Sequence, residues 1–338
     1  MDRDTIRESL GNCLTDTSDL GIGRLSKGKV RDVYDLDDRL LIITTDRQSA
    51  FDRVLASIPF KGQILNQVSA WWFDRTKDLI PNHFISMPDP AAIFARKCRV
   101  FQVEFIVRGY LTGSTNTSAW TLYNSGAREI CGNRLPDGMF KNQRFERPII
   151  TPTTKSDKHD ESVTPSQIVS RQLMTRGQWD EVSDIVLELF RRGQEIAAEH
   201  GLILVDTKYE IGVDQDGRLT LVDELHTPDS SRYWLSGTYE ERFLRNQETE
   251  NIDKEFLRLW FVQNCDPYGE EPLPAAPEEL VVELSARYVQ LYEIITGNPF
   301  NPPPYEPALA RLRRNLEAAG VKTEDDELSF LDEPVGRF

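Results

Sequence analysis

The pattern of apolar and polar positions predicts a β-rich first part of the chain, followed by more helical structure. Two runs with strand-like alternation, KVRDVYDL and RLLIITTD, lie on either side of Asp37 and Asp38. Because this dipeptide is typical of turns, residues 24–60 are predicted to contain a β-hairpin. From residue 63 to 80 the apolar period becomes helical, and Pro81 marks the end of that helix.

The segment RVFQVEFIVRGYL, at residues 99–111, predicts a long buried strand. A short helix is expected after this strand, beginning at Ser114 or Thr115 and ending at Gly126. The residues after Gly126 are rich in Gly, Asn and Pro, which predicts a loop.

Two further helices are predicted in the third quarter of the chain. Thr164, Pro165 and Gln167 form the pattern of a capping box with proline at the first helical position. A longer amphipathic helix is predicted over residues 179–200, with Gly201 as its C-terminal stop.

The segments LILVDTKYEIGV and RLTLVDEL surround an Asp-Gly turn and predict a second hairpin. After Trp234 the chain is predicted to be mostly helical to Ala319, interrupted by a proline-rich loop at 299–307. Strands that come early and helices that come late are typical of the α+β class.

Charge and composition narrow the possible partners. The 338 residues carry a formal net charge of −15, which argues against binding nucleic acid or an anionic membrane, so an anionic substrate would need a local basic cluster. No apolar run is long enough for a membrane span, and the N-terminus lacks the apolar core of a signal peptide. The four cysteines form no CxxC pair, so a reducing compartment, the cytoplasm, is expected.

A glycine-rich segment is the first candidate for chemistry. Residues 23–29 fit GxxxxGK, but Val30 stands where a phosphate-binding loop needs Ser or Thr, and a strand follows. Such a turn can cover a triphosphate, with Lys29 and Arg31 supplying positive charge. The alternative, an ordinary turn with solvated basic side chains, is favoured by this segment alone.

The late hairpin is more informative. Alternation along its first strand places three charged residues on one face, namely Asp206, Lys208 and Glu210. Pairing Val213 with Arg218 would bring Asp223 opposite Lys208, and a register shifted by two residues would bring it opposite Glu210. Two carboxylates on one face fit the oxygen ligands that Mg²⁺ prefers. The alternative is a solvent-facing ion pair between Lys208 and Asp223, which would contribute little.

Two polar segments are further candidates. Arg108 ends a predicted strand and Ser114 opens the following helix, an arrangement that can bind phosphate. The other segment pairs TTDRQSAFDRVL with IPFKGQILNQ and contains Ser49, Asp52 and Lys61. For both segments, ordinary capping and loop polarity is an equally good interpretation.

Taken together and in this order, several segments resemble the SAICAR synthetase family. They are GKVRDVY, DRQSAFD, IPFKGQILNQ, VRGYLTGS, TPTTKSDKHDE, VDTKYEIG and DELHTPDSSRYW, which span residues 28–234. The resemblance implies a two-lobed ATP-binding α+β fold with three parts. These are a β-rich nucleotide-binding lobe (1–103), a central α+β lobe with the metal and ribonucleotide sites (104–240) and a C-terminal helical region (241–338).

The resemblance also implies an activity. The family's ATP- and Mg²⁺-dependent ligases of purine biosynthesis join L-aspartate to 5-amino-1-(5-phosphoribosyl)imidazole-4-carboxylate (CAIR). The expected mechanism is activation of the carboxylate by phosphorylation, followed by attack of the aspartate amine. A monomer is expected.

The residue roles that follow from the resemblance fall into four groups. Nucleotide binding is assigned to Gly28, Lys29, Arg31, Val33, Val103 and Lys155, and metal binding to Glu210 and Asp223. Substrate binding is assigned to Arg108, Ser114 and Arg232, with Ser49, Asp52 and Lys61 assigned to the aspartate site. The catalytic residues are Lys208, Asp160 and Arg108.

Two rival functions use the same residues differently. A small-molecule kinase would transfer phosphate to a hydroxyl group and need no amine, although the chain has no HRD or DFG segment of protein kinases. The second rival is a non-catalytic nucleotide-binding protein. Such a protein would be expected to have lost Lys208, Glu210 or Asp223, and all three are present.

Overall fold

The computed structural model describes residues 1–115, 117–155, 161–252, 254–303 and 306–322. Asp160, one of the predicted catalytic residues, lies outside these ranges. The strands within them are β1 (Arg24–Lys27), β2 (Arg31–Asp35), β3 (Leu40–Thr44), β4 (Arg47–Ala50), β5 (Arg53–Ser57), β6 (Phe84–Asp89), β7 (Ala92–Ala95), β8 (Arg99–Leu111), β9 (Glu129–Ile130), β10 (Asn133–Arg134), β11 (Gln143–Ile150), β12 (Thr153–Thr154), β13 (Leu202–Val213), β14 (Leu219–Val222) and β15 (Ser231–Leu235). The helices are α1 (Arg3–Glu8), α2 (Lys61–Thr76), α3 (Ala119–Asn124), α4 (Pro165–Ser170), α5 (Arg176–Glu199), α6 (Ser236–Leu244), α7 (Glu255–Asn264), α8 (Glu278–Thr296) and α9 (Ala308–Ala318).

The first part of the chain forms an antiparallel sheet in the order β1-β2-β3-β7-β6. The predicted hairpin is confirmed, since β2 pairs with β3 and Asp37 takes a left-handed turn conformation with φ of 64°. One face of the sheet, including Tyr34 and Leu41, packs against Leu312 and Leu316 of α9. The last described helix therefore stabilises the first sheet, although the two are far apart in the sequence.

The second sheet has β8 and β13 at its centre, in the order β11-β8-β13-β14, with β12 also on β8 and β15 also on β13. Both long predicted strands are confirmed. One face of the sheet is apolar, and its fully buried side chains include Phe105, Val107, Tyr209 and Ile211, which join a core with α5. The predicted boundary between residues 103 and 104 falls inside β8, and the three-part division of the chain stays a prediction.

The helix starts follow local capping chemistry. The capping box of Thr164 and Gln167 is confirmed, and a second one, of Thr175 and Gln178, opens α5. The longer helix therefore begins at Arg176, three residues before its predicted start, because a Thr side chain is available to accept the backbone N–H groups.

The predicted start of the short helix after β8 is wrong. Helix α3 begins at Ala119, where the Ser118 hydroxyl accepts a hydrogen bond from the N–H of Thr121 at 3.3 Å. Gly113 has φ of 111°, a conformation that glycine permits, and Ser114 and Thr115 after it are not helical. Several polar residues in succession gave more than one possible N-cap, and packing selected the last of them.

The predicted α+β class is confirmed by the antiparallel sheets and the helices around them. In the part of the chain that the structure describes, each helix is too short or too polar to cross a membrane.

Two glycines of α5 provide a matched test of packing. A Cβ at Gly193 would lie 2.4 Å from Cε1 of the buried His226 ring, whereas a Cβ at Gly177 meets no atom within 4 Å. We expect Gly193→Ala to lower the free energy of unfolding by about 2 kcal/mol through overpacking. Gly177→Ala should leave it unchanged or raise it by up to about 1 kcal/mol, because alanine favours helix. Urea denaturation measures both, and equal effects of the two substitutions would contradict the packing argument.

Candidate active site

A row of three charged residues crosses β8, β13 and β15. The register places Arg108 opposite Asp206 and Asp206 opposite Arg232, and opposite residues share a face of the sheet. Arg108 Nη1 donates to Asp206 Oδ2 at 3.1 Å, and Arg232 donates to the same oxygen. Two guanidinium groups thus share one carboxylate, which holds both of them on this face of the sheet.

A second row of residues, four positions further along β13 on the same face, is acidic. Glu104 on β8 lies opposite Glu210 on β13, a pairing of like charges that by itself opposes strand pairing. Lys208 resolves it, because its Nζ lies 3.2 Å from Glu104 Oε1 and 2.7 Å from Glu210 Oε1. Burial favours the neutral amine, but Asp223, Glu210 and Glu104 outweigh it and raise the pKa of Lys208 well above its ordinary value.

The register of the late hairpin differs by one residue from the prediction. Val213 pairs with Leu219, not with Arg218, and Glu210 pairs with Val222. In a regular strand Asp223 would then point to the opposite face. Instead, the backbone of Asp223 has φ of 66°, and its Oδ2 lies 3.4 Å from Nζ of Lys208. The predicted meeting of Asp223 with Lys208 therefore occurs, but through a left-handed residue and not through strand alternation.

A buried histidine lies behind this unusual backbone. Burial lowers the pKa of His83 to about 4, so the ring is neutral near pH 7. Its Nε2 lies 3.1 Å from the carbonyl oxygen of Asp223, within reach of a hydrogen bond donated by the ring. The backbone N–H of His83 donates to the backbone oxygen of Leu221 at 2.9 Å, and the backbone N–H of Leu221 donates to the backbone oxygen of Pro81 at 2.8 Å. These contacts hold the end of β14 where Asp223 faces Lys208.

Arg31 links the first sheet to the second. Its Nη1 donates to Asp223 Oδ1 at 2.8 Å, and its Nη2 lies 2.8 Å from Glu224 Oε2. Lys155, which follows β12, forms an ion pair with Glu210. Burial raises the pKa of the Asp223 carboxyl, but Arg31, Lys208 and Lys155 outweigh it and hold that pKa well below its usual range. Two predicted nucleotide-binding cations thus lie directly on the two predicted metal ligands.

The other predicted nucleotide-binding residues are spread around this junction. Gly28 and Lys29 form the turn between β1 and β2, where the Gly28 N–H donates to Arg31 O at 2.7 Å and Lys29 forms an ion pair with Asp52. Val33, two residues after Arg31, lies half-buried on an apolar face of the first sheet with Ile42, Ile93 and Ala95. Val103 is fully buried in the core, so its side chain points away from the face that carries Glu104.

A cavity of about 200 Å³, called the basic pocket below, opens beside the Arg108–Asp206–Arg232 row. Its cationic lining residues are Arg108, Lys208, Arg232, Lys254 and Arg258. Glu255 also lines the pocket, accepts a hydrogen bond from the Ser114 hydroxyl and lies 3.2 Å from Arg258 Nη1. The predicted substrate-binding residues Arg108 and Arg232 therefore meet in one pocket, and Ser114 joins it through Glu255.

The three residues predicted for the aspartate site lie in different surroundings. Ser49 pairs with Val54 in the β4–β5 hairpin, and Asp52 lies in the turn of that hairpin with φ of 59°. Lys61 is 0% exposed at the start of α2, and its Nζ lies 2.8 Å from Asp229 Oδ2. Direct contact of the Lys61 ammonium with a substrate would require this buried ion pair to open.

The donor set fits magnesium that binds together with a nucleotide. Among the described residues no group of three or more His, Cys, Asp or Glu side chains is arranged to hold a metal ion by itself. Magnesium usually binds one or two protein carboxylates and completes its shell with phosphate oxygens and water. Glu210 and Asp223, joined through Lys208, supply two such carboxylates.

Sequence reasoning assigned no role to Glu104, Lys254 or Arg258. Strand alternation could have predicted the position of Glu104, because it precedes Arg108 by four residues on one strand and therefore shares its face. Lys254 and Arg258 lie at the start of α7, and nothing in the local pattern indicates that this helix borders the second sheet.

Comparisons with known proteins agree with this architecture. Residues 24–274 match the sequence model of the SAICAR synthetase family. The phosphoribosylaminoimidazole-succinocarboxamide synthase of Legionella pneumophila strain Paris is 60% identical, over 85% of this chain and 92% of that protein. The chloroplastic synthase of Arabidopsis thaliana is 56% identical, over 93% of this chain and 78% of that protein.

A solved structure gives the same result at the level of the fold. The SAICAR synthase of Saccharomyces cerevisiae, in complex with SAICAR, has a TM-score of 0.73 and 32% identity and covers 85% of this chain and 99% of its own. The sequence match, these identities and the shared fold show that the chain belongs to the SAICAR synthetase family.

Proposed function

We propose that this protein is an ATP-dependent ligase that joins L-aspartate to CAIR, giving SAICAR, ADP and phosphate. The observation that carries the proposal is the polarity of one face of the second sheet. A basic pocket lies at one end and an acidic pair at the other, and Lys208 lies between them. A ribonucleotide with a phosphate at one end and a carboxylate at the other carries one anionic group for the basic pocket and one for the Lys208 ammonium.

The phosphate of CAIR would bind in the basic pocket. Arg108 and Arg232 are held in place by Asp206, and their planar guanidinium groups suit the bidentate recognition of phosphate. The imidazole carboxylate would then point along the sheet toward Lys208. Because its pKa is raised, Lys208 stays protonated and acts by charge stabilisation and not as a base.

ATP would lie between the two sheets. The adenine would contact the apolar face around Val33, and the turn at Gly28 and Lys29 would cover the phosphates. Arg31 and Lys155 already lie at the metal carboxylates and would pair with phosphate oxygens there. Mg²⁺, held by Glu210 and Asp223, would neutralise charge on the phosphates when bound.

The proposed reaction has two bond-forming events. A carboxylate oxygen of CAIR attacks the γ-phosphorus of ATP, and ADP leaves. The amine of L-aspartate attacks the activated carboxyl carbon, phosphate leaves, and the amine releases its proton. The contribution of the described residues is to bring the carboxylate and the γ-phosphate together and to stabilise the charge with Lys208, Arg31 and Lys155.

Ser49 and Asp52 stay candidates for the aspartate site, and Asp160 stays a candidate for catalysis. The monomeric state and the cytoplasmic location also stay predictions. Gel filtration with light scattering would measure the first, and microscopy of a tagged chain in its own cell the second.

The proposed function is tested by an ADP-release assay with Mg²⁺-ATP, CAIR and L-aspartate, in which each is omitted in turn. We expect ADP release to require all three, together with formation of SAICAR. Release that needs CAIR but not L-aspartate would indicate a phosphotransferase. No release in any mixture would overturn the proposal of a ligase.

The metal carboxylates allow a second prediction. We expect Glu210→Gln and Asp223→Asn each to lower kcat/KM by about 100-fold or more, the size seen when one electrostatic contact to a transition state is lost. Glu146→Gln, which changes an exposed carboxylate on β11, is the matched control and should keep full activity. Thermal unfolding confirms that each variant folds. More than a third of the activity in the folded Glu210 variant would contradict its role.

A third prediction concerns Arg232. Lysine keeps the charge but loses the planar fork, so Arg232→Lys should raise the KM for CAIR by about tenfold, the loss of one charged hydrogen bond. The KM for L-aspartate should stay within about twofold of the wild-type value, since the contact is made to the ribonucleotide phosphate. Arg147→Lys, on an exposed part of β11, is the control. An unchanged KM for CAIR would remove Arg232 from the phosphate site.

A further inference from the structure

A buried charge network lies behind one wall of the basic pocket. Asp229, in the segment between β14 and β15, accepts a hydrogen bond at Oδ1 from Tyr288 of α8 at 2.7 Å. Its Oδ1 also lies 3.2 Å from Nζ of Lys254, and its Oδ2 lies 2.8 Å from Nζ of Lys61. One carboxylate thus contacts two ammonium groups that come from α2 and from the start of α7.

The two lysines differ in what they face. The Lys61 side chain is 0% exposed, and its ammonium lies against Asp229. The Lys254 side chain is 22% exposed and lines the basic pocket, as Asp229 does. A lysine that is fully withdrawn from water loses much hydration energy, so its retention here points to a role in the charge balance of the network.

The charges determine what that role is. If Asp229 had Lys254 as its only cationic partner, the two would form a neutral pair, and the pocket would lose one positive charge. Because the Lys61 ammonium contacts Asp229 from the buried side, the three groups together carry one net positive charge, and of the two cations Lys254 is the one that lines the pocket. Because Lys254 is only partly exposed, one such charge is screened less than a charge on the open surface and changes the binding of an anion.

We propose that Lys61 is a positioning residue that acts through Asp229 to keep the charge of Lys254 directed at an anionic group of a substrate. This inference rests on the proposed function for the identity of the substrates. In this proposal Lys61 does not contact the substrate but acts through two other residues, Asp229 and Lys254. The anionic group is a phosphate or carboxylate oxygen, carried by CAIR or by L-aspartate.

The test is a double-mutant cycle read by equilibrium binding. Titration calorimetry measures the Kd for CAIR and, in a separate arm, for L-aspartate, with the full chain and its Lys61→Met, Asp229→Asn and double variants. We expect Lys61→Met to weaken the binding of one of the two ligands by about tenfold. In the Asp229→Asn background, where no carboxylate needs neutralising, the same change should alter that Kd by less than about twofold.

Lys254→Met provides the matched comparison, and it should weaken the same ligand as Lys61→Met does. The arm that responds identifies the source of the anion. An equal loss for both ligands, no loss for either, or a loss by Lys61→Met that persists in the Asp229→Asn background would overturn the proposal. If Lys61→Met alone fails to fold, a Kd that differs by more than about twofold between Asp229→Asn and the double variant would still overturn the proposal.

Binding also separates this inference from the proposed ligase activity. A wild-type chain that binds CAIR and L-aspartate but releases no ADP would overturn the activity and leave the cycle interpretable. A wild-type chain that binds neither ligand would overturn both.

Discussion

The ammonium of Lys208, between Glu104 and Glu210, is the interaction on which the candidate site depends. Antiparallel pairing of β8 and β13 places the two glutamates directly opposite each other, and like charges in that position destabilise the sheet. Lys208 is the next residue on the same face of β13, and its ammonium attracts both glutamates and so offsets their repulsion. The charge balance that lets the central strands pair thus also concentrates carboxylates and a permanent cation at one place.

The position of the first sheet follows from the same cluster. Asp223 is the carboxylate that both sheets share, because Lys208 approaches one of its oxygens and Arg31 the other. Arg31 lies two residues from Val33 on β2, so the ion pair also fixes where the apolar face of the first sheet lies. Helix α9, which covers the opposite face of that sheet, completes the support from the far end of the chain.

The electrostatics of the molecule are local and not global. A chain of net charge −15 still carries a pocket lined by five cationic side chains, which three acidic residues of the same lining hold in place or accompany. Asp206 holds two arginines, and Asp229 holds two lysines. In both cases one carboxylate contacts two cations and holds them in place. This arrangement combines rigid positioning with attraction for an anion.

The sequence by itself determined the elements and the pattern of chemistry within them. The hairpin at Asp37, the long strands β8 and β13 and the capping box at Thr164 were predictable because turns, alternation and caps depend on residues close in the chain. Alternation also placed Asp206, Lys208 and Glu210 on one face without any tertiary information.

Only the tertiary structure decided how these elements meet. The predicted register of β13 with β14 was wrong by one residue. Asp223 nevertheless contacts Lys208, because its backbone, next to the buried His83, is left-handed. No local sequence pattern predicts that Lys61 is buried against Asp229. The physical reason is that these contacts join residues far apart in the chain, and their geometry is set by the packing of whole sheets and helices.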